Sequence, residues 1–148
     1  MAKDQQSCGF DVAAAFAGID TWVFDLDNTL YPVECKLFEQ VDRRMTEFIA
    51  ERFSLPAEAA RTLQKDYWKR YGTTLKGLML HHDVSPEIFL EFVHQIDLAL
   101  LPDNPLLKTA IERLPGRKVI FTNGPNHHAA AVLDRLGLSG HFETIFDI

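Results

Sequence analysis

Two carboxylates carry the first chemical signal. In the stretch Val23-Phe24-Asp25-Leu26-Asp27-Asn28-Thr29-Leu30-Tyr31-Pro32, Asp25 and Asp27 stand two positions apart where an apolar run ends. On an extended chain, residues i and i+2 project to the same side. Like charges that close repel, so the pair is costly unless a cation lies beside it. Oxygen donors of this kind suit Mg²⁺, which holds few protein carboxylates and keeps waters and phosphate oxygens as its other ligands. The same spacing fits an ordinary strand-end turn, because Asp and Asn are common turn residues. Spacing alone leaves the two readings level; the elements around it must decide.

Three segments read as strands: residues 21–26, 118–122 and 143–148. Apolar runs without polar alternation are typical of parallel strands covered on both faces. A helix over 127–136, closed by Gly137, joins the second strand to the third as a βαβ unit with a right-handed crossover. Another helix over 105–114 precedes the turn at Pro115-Gly116. In such open α/β sheets, ligands bind at the carboxyl ends of the strands, which is where Asp25 and Asp27 lie.

Residues 36–102 follow a different pattern. Leu37, Val41, Met45 and Phe48 recur at helical spacing, as do Ala60, Leu63, Tyr67 and Tyr71. Ile88, Phe89, Phe92, Val93 and Ile96 repeat it after Ser85-Pro86, an N-cap and N1 pair. The expected organisation is an α/β core of residues 1–35 and 103–148, with an all-helical insertion at 36–102 whose aromatic stripes form its own core.

Composition narrows the function classes. The 148 residues are 47% hydrophobic and 24% charged, a globular balance. A formal charge of −6 argues against a nucleic-acid partner, while a local cation at a pocket still permits a small phosphorylated substrate. No apolar stretch approaches the ~18–20 residues that span a bilayer, so no membrane association is expected. Residues 1–18 read as a loosely held lead-in rather than a signal peptide. Cys8 and Cys35 are the only cysteines, and both are expected as free thiols of a cytoplasmic protein.

The apolar strand followed by Asp25-Leu26-Asp27-Asn28-Thr29, and the second apolar strand Val119-Ile120-Phe121-Thr122 followed by Asn123-Gly124, resemble the first two motifs of the haloacid dehalogenase superfamily. The helical insertion resembles that family's cap domain, and the likeness covers the chain from about residue 19 onward. The fold it implies is a partial Rossmann-like α/β core carrying a helical cap. The activity it implies is phosphomonoester hydrolysis, with Asp25 as the nucleophile that forms an aspartyl-phosphate. Asp27 would serve as general acid and then general base. The side chain of Asp25 and the backbone carbonyl of Asp27 would ligate Mg²⁺. The Thr122 hydroxyl and the Asn123 N–H would bind the phosphoryl oxygens, with a favourable helix N-terminus just beyond. Thr29 would order the loop. Dehalogenases of the superfamily attack carbon and place no acid at the second position, so Asp27 favours phosphoryl transfer.

A narrower likeness links Asp27–Pro32, Tyr71-Gly72-Thr73-Thr74-Leu75-Lys76-Gly77-Leu78 and Thr122-Asn123-Gly124-Pro125 to the pyrimidine 5′-nucleotidase subgroup. It implies a nucleoside monophosphate substrate. Tyr71, Lys76 or His81 would then face the base or ribose, or else Tyr71 packs and Lys76 is solvated. The pairs His81-His82 and His127-His128 are not read as a zinc site, since neighbours on a helix point about 100° apart. His127 and His128 fall in the first turns after Thr122, with one of them lining the pocket rim.

The family also uses a lysine after the third strand and acidic residues after a fourth. Neither is found before Ile148, so the expectation is a C-terminally truncated chain of little activity. With no fourth strand, the segment 22–26 would present an unpaired edge open to self-association. Two alternatives stay open: a non-catalytic binding module of this lineage, and a phosphatase for another small phosphorylated metabolite.

Overall fold

The computed structural model describes residues 16–147. Expectations that fall on Cys8, on most of the lead-in segment and on Ile148 lie outside the described residues.

Strands β1 (Thr21–Phe24), β2 (Arg117–Phe121) and β3 (Thr144–Phe146) form a parallel sheet in the order β1-β2-β3. Phe24 pairs with Ile120 and Ile120 with Ile145. This row faces the core, where Leu26, Leu30, Leu101, Ile111, Val132 and Leu133 are buried around Ile120. Each such side chain contributes about 1.5–3 kcal/mol on burial. The strands are shorter than the apolar runs suggest. β1 stops at Phe24 because the Leu26 carbonyl accepts the N–H groups of Thr29 and Leu30, which turns the chain.

Both faces of the sheet were expected to be covered, and among the described residues one is left open. At alternate positions Val23 is 65% exposed, Phe121 61% exposed and Phe146 also exposed; only Val119 of the central strand is buried there. The described helices pack on the other face. Among the described residues, β1 has no partner strand on its outer edge.

Helices α5 (Pro105–Arg113) and α6 (Asn126–Arg135) belong to the sheet unit. Between β1 and α5 lie the helices α1 (Leu37–Phe53), α2 (Ala57–Tyr71), α3 (Thr74–His82) and α4 (Pro86–Val93). In α5, the Asn104 side chain accepts the Leu107 N–H at 3.0 Å, with Pro105 opening the helix. Helix α6 ends at Gly137, which has φ +68. Leu138 N–H reaches the Leu133 carbonyl at 2.8 Å and Gly137 N–H the Asp134 carbonyl at 2.9 Å, the paired bonds of a Schellman ending.

The four helices α1–α4 surround a second cluster that includes Val41, Phe48, Ala60, Tyr67, Leu78 and Phe89. The Phe48 and Phe89 rings meet edge to face at 5.1 Å. Ser85 and Pro86 open α4 as the sequence suggests, with Ser85 Oγ accepting the Ile88 N–H. Ile88 itself departs from the expectation. The inward face of this short helix is Phe89 and Val93, and Ile88 points to solvent. Gly77 permits the close crossing of α2 and α3, since a Cβ there would lie 2.4 Å from Tyr67 Cγ. Gln64 is buried among the apolar residues. Its Oε1 accepts from Thr46 and its Nε2 donates to Asp42, so the buried amide is satisfied.

The two clusters meet along a seam. Leu37, the first residue of α1, joins the sheet-side cluster, and Ile96 packs against both. No helix among the described residues is long and apolar enough to cross a membrane.

Candidate active site

The turn after β1 holds its two carboxylates by the same device. Thr29 Oγ1 donates to Asp25 Oδ2 at 2.7 Å, and Tyr31 O–H donates to Asp27 Oδ1 at 2.7 Å. Both bonds span four residues of a tight turn in which Asn28 takes φ +58, a left-handed conformation Asn tolerates. Leu26, buried between the two aspartates, anchors the turn in the core. Asp25 directly follows β1 and Asp27 opens the turn, and the bonds from Thr29 and Tyr31 hold the two carboxylates in place.

The turn after β2 lies against it. Thr122 is buried; its N–H goes to the Phe146 carbonyl at 2.9 Å and its hydroxyl oxygen accepts the Gly124 N–H at 3.0 Å. Thr122 thus braces the loop, and the exposed Asn123 and the buried Gly124 both line the cavity. A Cβ on Gly124 would sit 3.6 Å from Asp27 Oδ2, 3.6 Å from His94 Nε2 and 3.1 Å from His128 Cδ2. The absence of a side chain there lets the two turns and His94, at the end of the helix Pro86–Val93, converge. At the N-terminus of α6, Asp147 Oδ2 accepts the Asn126 N–H at 2.8 Å.

Asp25, Asp27, Asn28, Asn123 and Gly124 line one side of a cavity of about 520 Å³, within the ~300–1,000 Å³ usual for small-molecule sites. The helical block lines the other side with Phe38, Met45, Trp68 and Leu75, and with the ion pair of Lys65 and Asp42 at 2.5 Å. Tyr71, Lys76 and His81 are not in this wall. Tyr71 O–H is bonded to His81 Nε2 at 2.6 Å, and the Lys76 N–H is taken by the Thr73 cap of α3. From that motif, Gly72, Thr73, Thr74 and Leu75 reach the cavity instead.

Two histidines gain a place that the sequence did not reveal. His128 Nε2 lies 3.1 Å from Asp27 Oδ1 and is buried, not at the rim. His94, at the end of α4, stands with its ring 4.6 Å from that of His128. Its Nδ1–H donates to the Leu90 carbonyl at 2.8 Å, which leaves Nε2 facing the site. No pattern in sequence marks either one, because each is defined by partners from distant segments.

The charges follow from this packing. Burial of Asp27 works against its ionised form, but hydrogen bonds from His128 and Tyr31 outweigh it and hold the carboxyl below the ordinary aspartate value. Tyr31 is pushed far up, first by burial and then by its bond to Asp27. His94 is pushed down to about 4, chiefly by burial, so it is neutral at pH 7.

Among the described residues, no group of three or more His, Cys, Asp or Glu is placed to hold a metal ion. The Asp25 carboxylate and the Asp27 carbonyl are hard oxygen donors on one turn. That partial set fits Mg²⁺, which takes one or two carboxylates and fills its octahedron with waters and substrate oxygens.

Over 133 residues the chain is 26% identical to Phosphate metabolism protein 8 of Saccharomyces cerevisiae (strain ATCC 204508 / S288c), covering 82% of this chain. It spans 41% of that relative's length. A family model described as a haloacid dehalogenase-like hydrolase matches residues 19–148, taking in both turns and the helical block between them. The chain belongs to the haloacid dehalogenase-like hydrolase family.

Proposed function

We propose that the protein carrying this chain is a Mg²⁺-dependent phosphomonoesterase acting on pyrimidine nucleoside 5′-monophosphates, with residues 36–102 as its cap. The observation that carries this reading is the single cavity that Asp25, Asp27 and Asn123 share with the helical block. Asp25 attacks phosphorus, the bond to the leaving oxygen breaks, and an aspartyl-phosphate forms. Asp27 gives its proton to the departing alcohol and takes one from the water that cleaves the intermediate. In the resting form Asp27 is a carboxylate; a bound phosphate dianion raises its proton affinity, so the proton arrives with the substrate. The Asn123 N–H and the loop braced by Thr122 receive the phosphoryl oxygens. Haloacid dehalogenase-like hydrolases generally use Mg²⁺, which would be held by Asp25 and the Asp27 carbonyl. When bound, it neutralises charge between two anions.

The base would lie against Phe38 and Trp68, two exposed aromatic side chains of the cavity wall, with Lys65 and Asp42 near its polar edge. Phosphate release from a panel of nucleoside monophosphates, with and without chelator, tests the reading. CMP and UMP should be preferred, EDTA should stop turnover, and Asp25→Asn should remove it while circular dichroism stays unchanged. Turnover that survives Asp25→Asn would exclude this mechanism. Self-association through the outer edge of β1 is part of the same reading, and sedimentation over a concentration series checks it.

A further inference from the structure

Asp27 is gripped from two sides at one oxygen. Tyr31 O–H and His128 Nε2 both reach Oδ1, at 2.7 and 3.1 Å. A carboxylate oxygen only accepts, so both groups donate. The two donors come from parts of the chain that have little freedom. Tyr31 is 2% exposed, with its ring in the sheet-side core; His128 is 3% exposed in the first turns of α6, 101 residues from Asp27. The other oxygen, Oδ2, is hydrogen-bonded to no described residue and lies on the Gly124 side of the carboxyl, where the cavity wall runs.

We infer that Tyr31 and His128 are positioning residues that clamp Oδ1 of Asp27, so that Oδ2 alone exchanges the proton with the leaving group. This rests on the acid–base reading of Asp27 above. In the first half-reaction the proton passes from Oδ2 to the alkoxide oxygen as its bond to phosphorus breaks and the Asp25–phosphorus bond forms. In the second, a water proton passes to Oδ2 as the water oxygen bonds to phosphorus and the Asp25–phosphorus bond breaks. Without the clamp, the carboxyl can rotate about Cβ–Cγ and offer either oxygen, or neither, to the leaving group. A loss of positioning is felt in proportion to how much the leaving group needs a proton. The ribose 5′-oxygen needs one; p-nitrophenolate departs without it.

The test uses the full protein, Tyr31→Phe, His128→Leu and His128→Gln, and two substrates, a nucleoside 5′-monophosphate and p-nitrophenyl phosphate. Tyr31→Phe and His128→Leu should each lower kcat/KM on the nucleotide, which reads the transfer to Asp25 and not the later cleavage of the shared intermediate, by about 10- to 100-fold. The loss of kcat/KM on p-nitrophenyl phosphate should be under about threefold. His128→Gln, which restores an N–H donor, should recover most of the nucleotide rate. Equal losses on both substrates, or no loss on either, overturn the clamp while leaving the phosphatase reading intact. A wild-type protein that hydrolyses neither substrate removes the phosphatase reading, and the clamp with it. Tyr31→Phe keeps the ring, so the result stands even if His128→Leu does not fold.

Discussion

Thr29 donates its hydroxyl to Asp25 Oδ2 at 2.7 Å across one turn of chain. The bond commits one oxygen of Asp25, and Thr29 itself is not in the cavity wall, so Thr29 acts on the proposed nucleophile without meeting substrate. Thr29→Val keeps the shape and deletes the donor. It should lower kcat about tenfold and stability by about 1 kcal/mol, whereas Thr29→Ser should resemble wild type. Steady-state kinetics and urea unfolding give both numbers.

His94 makes the fold sensitive to acid. Its folded value, about 4, is below the ~6.5 of an unfolded histidine. Between those values the unfolded chain binds a proton and the native one does not, so stability falls as pH drops from about 6.5 toward 4 and is level above 6.5. The groups around it are His128 and His127, which oppose its charge, and Asp27, which favours it. His94→Asn keeps a donor for the Leu90 carbonyl and removes the titration. Over that range, wild type should lose up to about 2 kcal/mol more than the variant. Parallel unfolding curves at all pH values would contradict this.

Trp68 tests the aromatic wall. Base stacking is worth about 1–3 kcal/mol per base by alanine substitution, so Trp68→Ala should raise KM for a nucleotide roughly tenfold. KM for glycerol phosphate, which has no ring, should change little. Equal rises for both substrates would show that Trp68 serves packing only.

Asp147 ties β3 to α6 through the Asn126 N–H. Asp147→Ala should cost about 1 kcal/mol, as the loss of an N-terminal cap does. The midpoint of urea unfolding reports it, with the m-value unchanged.

Much of this was legible in the chain because it rests on local rules. The strand before Asp25, the Ser85-Pro86 start of α4 and the Gly137 end of α6 each follow from neighbours within a few residues. The two carboxylates at the end of the first strand and the loop-ordering Thr29 were legible for the same reason, but the bond from Tyr31 to Asp27 was not. His128 and His94 were out of reach. A histidine in a helix turn carries no signature, and the partners of His128 come together only when α6 docks on the β1 turn and α4 closes over it. Gln64 was hidden differently: its neighbours in α2 suggest a solvated face, yet the crossing with α1 buries it. The open sheet face around Val23 and Phe121 is the converse, since an apolar run cannot say which of its sides is covered.

The contact of Gly77 with the Tyr67 ring sits on the inner side of the helical block, away from the cavity. Yet α2 carries Trp68, the link to α3 carries Gly72 and Thr73, and α3 carries Leu75, all of them in the cavity wall. The width of the chamber is thereby inherited from how tightly two helices cross behind it. A methyl group added at position 77 would pry them apart and reshape what the chamber admits, so selectivity can drift through a site that no ligand ever meets.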